Sequence, residues 1–323
     1  MKLGKILHLS ALGLLASGIM PAASAATYPD RPITIIVPYG AGGTTDIFVR
    51  ALGDALGREL KQAVVVENKA GANGTMGLIS MKSAKPDGYS LTIVPISAFR
   101  QPYIQKTSYD PIKDATYVSM VGSYNYAIGV NATSQWKTIQ ELIDYTKKNP
   151  NTVFYGVNGR YSVTEFIMMD LAKKLDLKWT SVPFKGDSQN ISSLLGDQVQ
   201  AVSATNAILP FAQSGRVRIL ATTGEKRTKD FPNAPTLKEA GYPLTMTTPF
   251  GIAGPAGMPE GVVKTLDTAI AGALKDPKFV EAVARYGIDI TYMDHAAYTT
   301  YAKDAAVNEK DSVKTLLEGA VKN

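Results

Sequence analysis

The chain has 323 residues, 45% of them hydrophobic and 19% charged, an ordinary globular composition with enough apolar residues for one large core or two smaller ones. It has no cysteine, so neither a disulfide nor a lipid-bearing N-terminal Cys is available, and chain size must stand in for cross-links. The formal charge of +6 is a mild excess without any Lys/Arg cluster interleaved with aromatics, which argues against a nucleic-acid partner and suits an anionic ligand.

Lys2 and Lys5 precede an apolar stretch from Ile6 to Ile19, and Ala23-Ser24-Ala25 follows as a small-x-small site. This order predicts a secretory signal peptide cut after Ala25 and a mature periplasmic protein. A retained membrane anchor fits less well, because the stretch is short and Pro21 interrupts it. No later apolar run is long enough to cross a bilayer.

Strands and helices then alternate. Ile33–Val37 reads as a buried strand between Pro32 and Pro38, Gly40–Thr45 as a loop, and the spacing of Ile47, Ala51, Leu52, Ala55, Leu56 and Leu60 as a helix face. Strands follow at Ala63–Val66 and Leu91–Val94, separated by a Gly-rich turn at Gly71–Gly77 and a helix to about Ala84. This β-α-β-α-β order implies a parallel sheet with its ligand loops, Tyr39–Thr45 and Pro95–Arg100, at the carboxyl ends of the strands. A second set comprises strands at Tyr117–Val121, Ala127–Val130, Val153–Tyr155, Trp179–Phe184, Val199–Val202 and Val217–Thr222. Helices are expected at Thr138–Lys148, Val163–Leu175 and Ile191–Leu195, and later at Glu260–Leu274, Pro277–Tyr286 and Ala296–Ala320. An extended stretch rich in Gly and Pro from Thr245 to Gly254 precedes the last three. The division expected is a first lobe of residues 26–122 plus 248–323 and a second lobe of 123–247, joined by two chain crossings.

The strongest local signal is the strand-to-helix loop Tyr39 to Asp46, in which Gly42 and Gly43 let an anion approach free backbone N–H groups at a positive helix end while Thr44 and Thr45 add hydroxyl donors. Asp46 reads better as a first-turn acid than as a ligand. A dinucleotide fingerprint is the rival reading, with Glu67 as the distal acid, but Thr45 stands where a third glycine belongs. The matching second-lobe loop is Val157–Glu165, where Asn158, Ser162 and Thr164 are polar candidates and Ser162 or Thr164 can cap the following helix. Arg160 there, and Arg100 after the third strand, carry guanidinium forks able to grip a carboxylate. Tyr39, Phe99, Tyr161 and Phe250 are candidate pocket walls, Tyr39 and Tyr161 the better two because they sit in the loops. Catalysis lacks parts: with His8 in the leader, His295 stands alone, and neither a Gly-x-Ser-x-Gly elbow nor a set of metal ligands occurs. No cofactor is expected.

The chain resembles the Bug (TctC-like) extracytoplasmic solute receptors of tripartite tricarboxylate transporters. The likeness rests on Tyr28-Pro29-Asp30-Arg31-Pro32-Ile33, Val64 to Gly74, Ala84-Lys85-Pro86-Asp87-Gly88-Tyr89, Asp110 to Asp114, Val182-Pro183-Phe184-Lys185-Gly186, Pro235 to Gly241 and Gly254 to Pro259. It implies an α/β fold of the two-lobe type II periplasmic-binding-protein kind, each lobe a mainly parallel sheet flanked by helices. It implies a monomer that captures a small organic carboxylate (a dicarboxylate, an acidic amino acid or an aromatic carboxylate) by cleft closure and delivers it to large and small integral membrane subunits, with no catalysis. The implied ligand loops are Tyr39–Asp46, Pro95–Gln101 with Ser97, Val157–Glu165, and a contribution near Thr205 and Asn206. Ala41, Val157, Asn158, Tyr161, Ser162, Glu165 and Pro249 depart from the family pattern, and Arg160 with Tyr161 suggests a ligand with a second acidic group or an aromatic ring. An exported enzyme, or a receptor signalling through a sensor partner, is the alternative on the same plan.

Overall fold

The computed structural model describes residues 28–228 and 231–320, with side chains described to residue 314. The expected leader and its cleavage after Ala25 lie outside the described residues. No described helix is long and apolar enough to cross a membrane.

The first strand, β1 (Ile33–Val37), is followed by α1 (Thr44–Leu60), β2 (Val64–Asn68), α2 (Met76–Met81), β3 (Ser90–Val94), the single turn α3 (Ser97–Arg100) and β4 (Ala115–Tyr124). The chain then builds β5 (Tyr126–Asn131), α4 (Ile139–Lys148), β6 (Phe154–Val157), α5 (Val163–Leu175), β7 (Thr180–Pro183), α6 (Asp187–Leu195), β8 (Ala201–Thr205), α7 (Leu209–Gln213) and β9 (Val217–Thr222). It returns as β10 (Thr248–Pro255), α8 (Glu260–Ala273), α9 (Pro277–Ala284), β11 (Asp289–Met293) and α10 (His295–Ala320).

A six-stranded sheet runs β2-β1-β3-β10-β4-β11 and a five-stranded sheet runs β7-β6-β8-β5-β9. The two-lobe α/β architecture stands, but the sheets are mixed rather than mainly parallel. Pairing is parallel in β2-β1-β3 and in β7-β6-β8. The pairs made by β10 and β5 are antiparallel, because these strands enter their sheets directly from the opposite lobe and so run against their neighbours; the edge strand β11 also pairs antiparallel with β4. The parallel portions are the βαβ units, and their strands point their carboxyl ends at one another across the cleft.

Ile33, Ile35, Ile36 and Val37 are all buried, as a strand covered on both faces requires. Behind β1, the Phe48 ring of α1 meets Phe250 and Phe279 edge-on at 5.0 and 5.2 Å. A separate cluster in the second lobe packs Ile191 and Leu194 of α6 against Val202 and Ile208.

Only Asn125 separates β4 from β5, so the first crossing is a single residue. Its backbone N–H donates to Asn206 Oδ1 at 3.0 Å and its amide to Asp289 Oδ2 at 2.6 Å. The return crossing lies beside it: Thr223 N donates to the Tyr126 carbonyl, Met246 N to the Thr223 carbonyl, and the Tyr126 hydroxyl bonds Thr248 Oγ1. The C-terminal helix α10 starts in the first lobe, against β4 and α3, and reaches α5 of the second.

Candidate functional site

A cavity of about 50 Å³ lies where the two lobes meet. On the measure by which one water needs about 10–15 Å³, that is room for roughly three to five waters. Its walls come from the carboxyl ends of β1, β3, β6 and β8, and from Tyr124 and Tyr126, which flank the first chain crossing.

Three helix N-termini converge on it. From the first lobe comes α1, represented by Gly43, Thr44 and Thr45; from the second come α5, with Ser162, Val163 and Thr164, and α6, with Gly186 and Asp187. The first N–H groups of each helix lack an intrahelical acceptor and the helix dipoles add, so a negative charge is favoured there.

Each loop is held from behind. Asp46, 3% exposed, accepts from Gly42 N at 2.9 Å, Arg50 Nε at 3.1 Å and Asn68 Nδ2 at 2.8 Å. Burial opposes its ionisation, but Arg50, the Gly42 N–H and Asn68 together outweigh burial and hold its carboxyl below the usual range. This lets Gly42 keep φ +79°, a left-handed turn that glycine adopts without strain. In the second lobe Ser162 caps α5 by accepting from Glu165 N at 3.3 Å, while the buried Glu165 carboxylate accepts from Tyr161 N, Ser181 Oγ and Arg160 Nη1. Thr164 Oγ1 accepts from Asn158 N at 2.9 Å.

The lobes touch across the cavity. Thr44 Oγ1 accepts from Ala207 N at 2.8 Å and bonds Thr205 Oγ1; Ser188 Oγ donates to the Ala41 carbonyl at 2.9 Å. Thr45 Oγ1 bonds the Tyr124 hydroxyl at 2.8 Å. Burial pushes the Tyr39 hydroxyl up to about 12 and raises Tyr124 and Tyr126 as well, so all three are neutral hydroxyls at physiological pH.

Of the residues expected from sequence, the structure brings Tyr39, Gly43, Thr44, Thr45, Ser97, Asn158, Ser162, Thr164 and Thr205 to the cavity wall. Gly42 and Asp46 shape the loop from behind. Arg160 and Tyr161 are elsewhere: both line an outer groove of about 410 Å³ that shares Tyr39, Asn73 and Asn158 with the cavity and adds Lys185. The Arg160 side chain is 60% exposed and held by Glu165 at 3.0 Å. Arg100 is buried behind the wall, with Nε 2.5 Å from Glu309 Oε2 and its guanidinium 4.1 Å from the centre of the Phe166 ring. Phe250 stacks on Tyr124 and Phe99 on Tyr117, so both are core side chains. His295 Nδ1 bonds the Tyr117 carbonyl at 2.5 Å, where it packs the start of α10.

Among the wall residues not singled out in the sequence are Tyr124, Tyr126, Thr248, Asn73 and Asp187, and the last two bear most on binding. Asn73 follows Ala72 in a left-handed turn, and its buried Nδ2 has no hydrogen-bond partner. An unsatisfied buried donor at a cavity wall asks for a ligand acceptor or a water. Asp187 opens α6; Thr205 N at 3.0 Å and Asn158 Nδ2 at 2.7 Å donate to its Oδ1, and Thr205 Oγ1 at 2.7 Å donates to its Oδ2. Burial pushes its carboxyl pKa up. No group of three or more metal-ligating side chains occurs among the described residues.

The chain matches the family model described as tripartite tricarboxylate transporter family receptor (TctC) over residues 48–317. It is 39% identical to the Cupriavidus necator protein described as the UPF0065 protein in the gbd 5′ region, over 95% of this chain and 93% of that one. It is 31% identical to protein BugT of Bordetella pertussis, over 89% and 90% of the two chains. The solved periplasmic binding protein BugD superposes with a TM-score of 0.85 at 29% identity, covering 90% of this chain and 98% of BugD. Extent and identity together leave no doubt of kinship, and the chain belongs to the tripartite tricarboxylate transporter receptor (TctC) family.

Proposed function

We propose that this protein is an exported receptor that captures a small organic carboxylate between its lobes, without turning it over, and hands it to the integral subunits of a tripartite transporter. The observation that carries the reading is the convergence of the α1, α5 and α6 N-termini on one cavity whose wall holds no lysine, arginine or histidine. Oriented N–H groups and hydroxyls in a closed cleft attract a carboxylate without a salt bridge. Contacts from both lobes favour the closed state, because only closure completes the set. Micromolar capture needs about 8 kcal/mol net, which a few charge-assisted hydrogen bonds in a closed cleft supply. Family membership and the likeness to BugD support the receptor role; the Lys2–Ala25 leader supports export. Arg160 and Lys185 in the outer groove supply a positive approach path.

A thermal-shift screen of mono-, di- and tricarboxylates and amino acids tests this, since a ligand that binds only the folded state raises its stability. The reading expects at least one carboxylate to raise the melting temperature and to be recovered chemically unchanged by mass spectrometry. A null result across the screen, or conversion of the bound compound, contradicts it.

A further inference from the structure

Asp187 stands out within the cavity. It is the one acid on a wall that carries no basic side chain, and it is only 7% exposed. Asp46 provides the comparison, being buried to a similar degree at the start of another helix. That carboxylate is neutralised by Arg50 at 2.9 Å. Asp187 has amide and hydroxyl donors only, and no lysine or arginine is among the groups that act on it.

Its donors fix its protonation pattern. Oδ1 receives two N–H groups that cannot turn away, Thr205 N and Asn158 Nδ2. Oδ2 receives the Thr205 hydroxyl, itself bonded to Thr44 of the first lobe, and lies beside Gly43, where a Cβ would stand 3.9 Å from it. Burial is the larger influence and raises the carboxyl pKa, while the donors aimed at both oxygens work against it and favour the ionised form. An ionised carboxylate shut in a cavity without a cation is costly, and a partner of opposite charge offsets that cost.

We propose that Asp187 is a specificity-determining residue that selects, within the carboxylate class, ligands that also carry a protonated amino group. The ligand carboxylate sits on the helix N-termini and the Asn73 amide, and its ammonium group faces the unshared lone pairs of Asp187. A dicarboxylate without an amine meets a like charge at the same place. One of the two acids must then take up a proton, which disfavours binding at neutral pH.

This inference rests on the carboxylate-receptor reading, so its test compares matched pairs within that class. Calorimetry at neutral pH uses aspartate against succinate, glutamate against glutarate, and alanine against propionate, on the wild-type chain and on Asp187→Asn. The Asn amide keeps an oxygen for Thr205 N and Asn158 Nδ2 and presents an NH₂ to the Thr205 hydroxyl, which accepts as readily as it donates. In the wild type, the amine-bearing member of at least one pair is expected to bind tighter by about ten- to a hundredfold, the size of one charge-assisted hydrogen bond. In Asp187→Asn that ratio is expected to collapse towards one. Equal binding within every pair, tighter binding of the amine-free acids, or an equal loss for both members in the variant overturns the inference and leaves the carboxylate reading in place. If no member of any pair binds, the inference falls, and the wider thermal-shift screen decides the carboxylate reading. The wild-type ratio decides even if the variant does not fold.

Discussion

Two aspartates at helix starts illustrate how neighbours, and not residue type, decide what a side chain does. Asp46 binds Arg50, Gly42 N and Asn68, so its ionised form is stabilised and its carboxyl is held low. A carboxyl with a depressed native pKa contributes stability above its ordinary unfolded value, and that contribution is lost as pH falls through the native one. Asp46→Ala is therefore expected to cost about 2–3 kcal/mol at neutral pH, with Gly42 N and the Asn68 amide left short of an acceptor, and the gap to wild type should close under acid. Denaturant melts of both proteins across pH check this; a difference independent of pH contradicts it. Asp187 runs the other way, since its raised value makes the ionised native form a net cost once pH exceeds that value. The sequence displayed the first of these situations through the compact Gly42-to-Asp46 motif, but hid the second. Asp187 sits one residue beyond the recognisable Val182–Gly186 run, and its partners Asn158 and Thr205 are 29 and 18 residues away. Arg160 and Arg100 make a similar contrast. A guanidinium in a loop is visible in sequence, and Glu165, five residues on, is a nearby acid that could orient Arg160 or merely open the helix; Glu309, which holds Arg100 from 209 residues away, is not visible.

At the scale of elements, long periodic segments were legible and short ones were not. Val163–Leu175 and Val217–Thr222 were delimited by Ser162, Leu175 and the Gly215 turn, and they form as read. The single turn α3 reads as loop in sequence, because four residues show no helical period; α7, with Pro210 in its first turn, and β11, with its irregular pairing to β4, give too little pattern. The assignment of α10 to both lobes was equally invisible. Its Glu309, 8% exposed, holds Arg100 of α3, whose guanidinium covers the Phe166 ring of α5. Arg100 Nη1 is already buried without a partner, so removing the carboxylate takes the acceptor from Nε as well and leaves the buried cation with no acid against it. Glu309→Ala is expected to destabilise by about 3–5 kcal/mol, more than an exposed ion pair is worth. Chemical denaturation measures it, and a loss below about 1 kcal/mol shows the pair to be dispensable.

For the whole molecule, the order β1-α1-β2-α2-β3 foretold parallel sheets, and the reversal of β10 and β5 was missed. Strand direction in a two-lobe chain depends on which lobe the chain arrives from, and one strand's composition is silent on that. The Tyr126–Thr248 and Asn125–Asn206 bonds tie the two crossings together, so the lobes share one narrow pivot. Above it, Thr44, Thr205 and Asp187 form a continuous hydroxyl–carboxylate chain from one lobe to the other. On the proposed reading, closure and recognition use the same atoms, and the ligand's negative end belongs among the N–H groups of Gly43–Thr45, Val163 and Thr164. A crystal structure of the protein with the tightest-binding carboxylate from the screen tests this directly. The account predicts carboxylate oxygens within hydrogen-bond reach of those groups, directly or through one water, inside the cavity. A ligand bound in the outer groove beside Arg160, with the helix N-termini contacting nothing but protein, contradicts it.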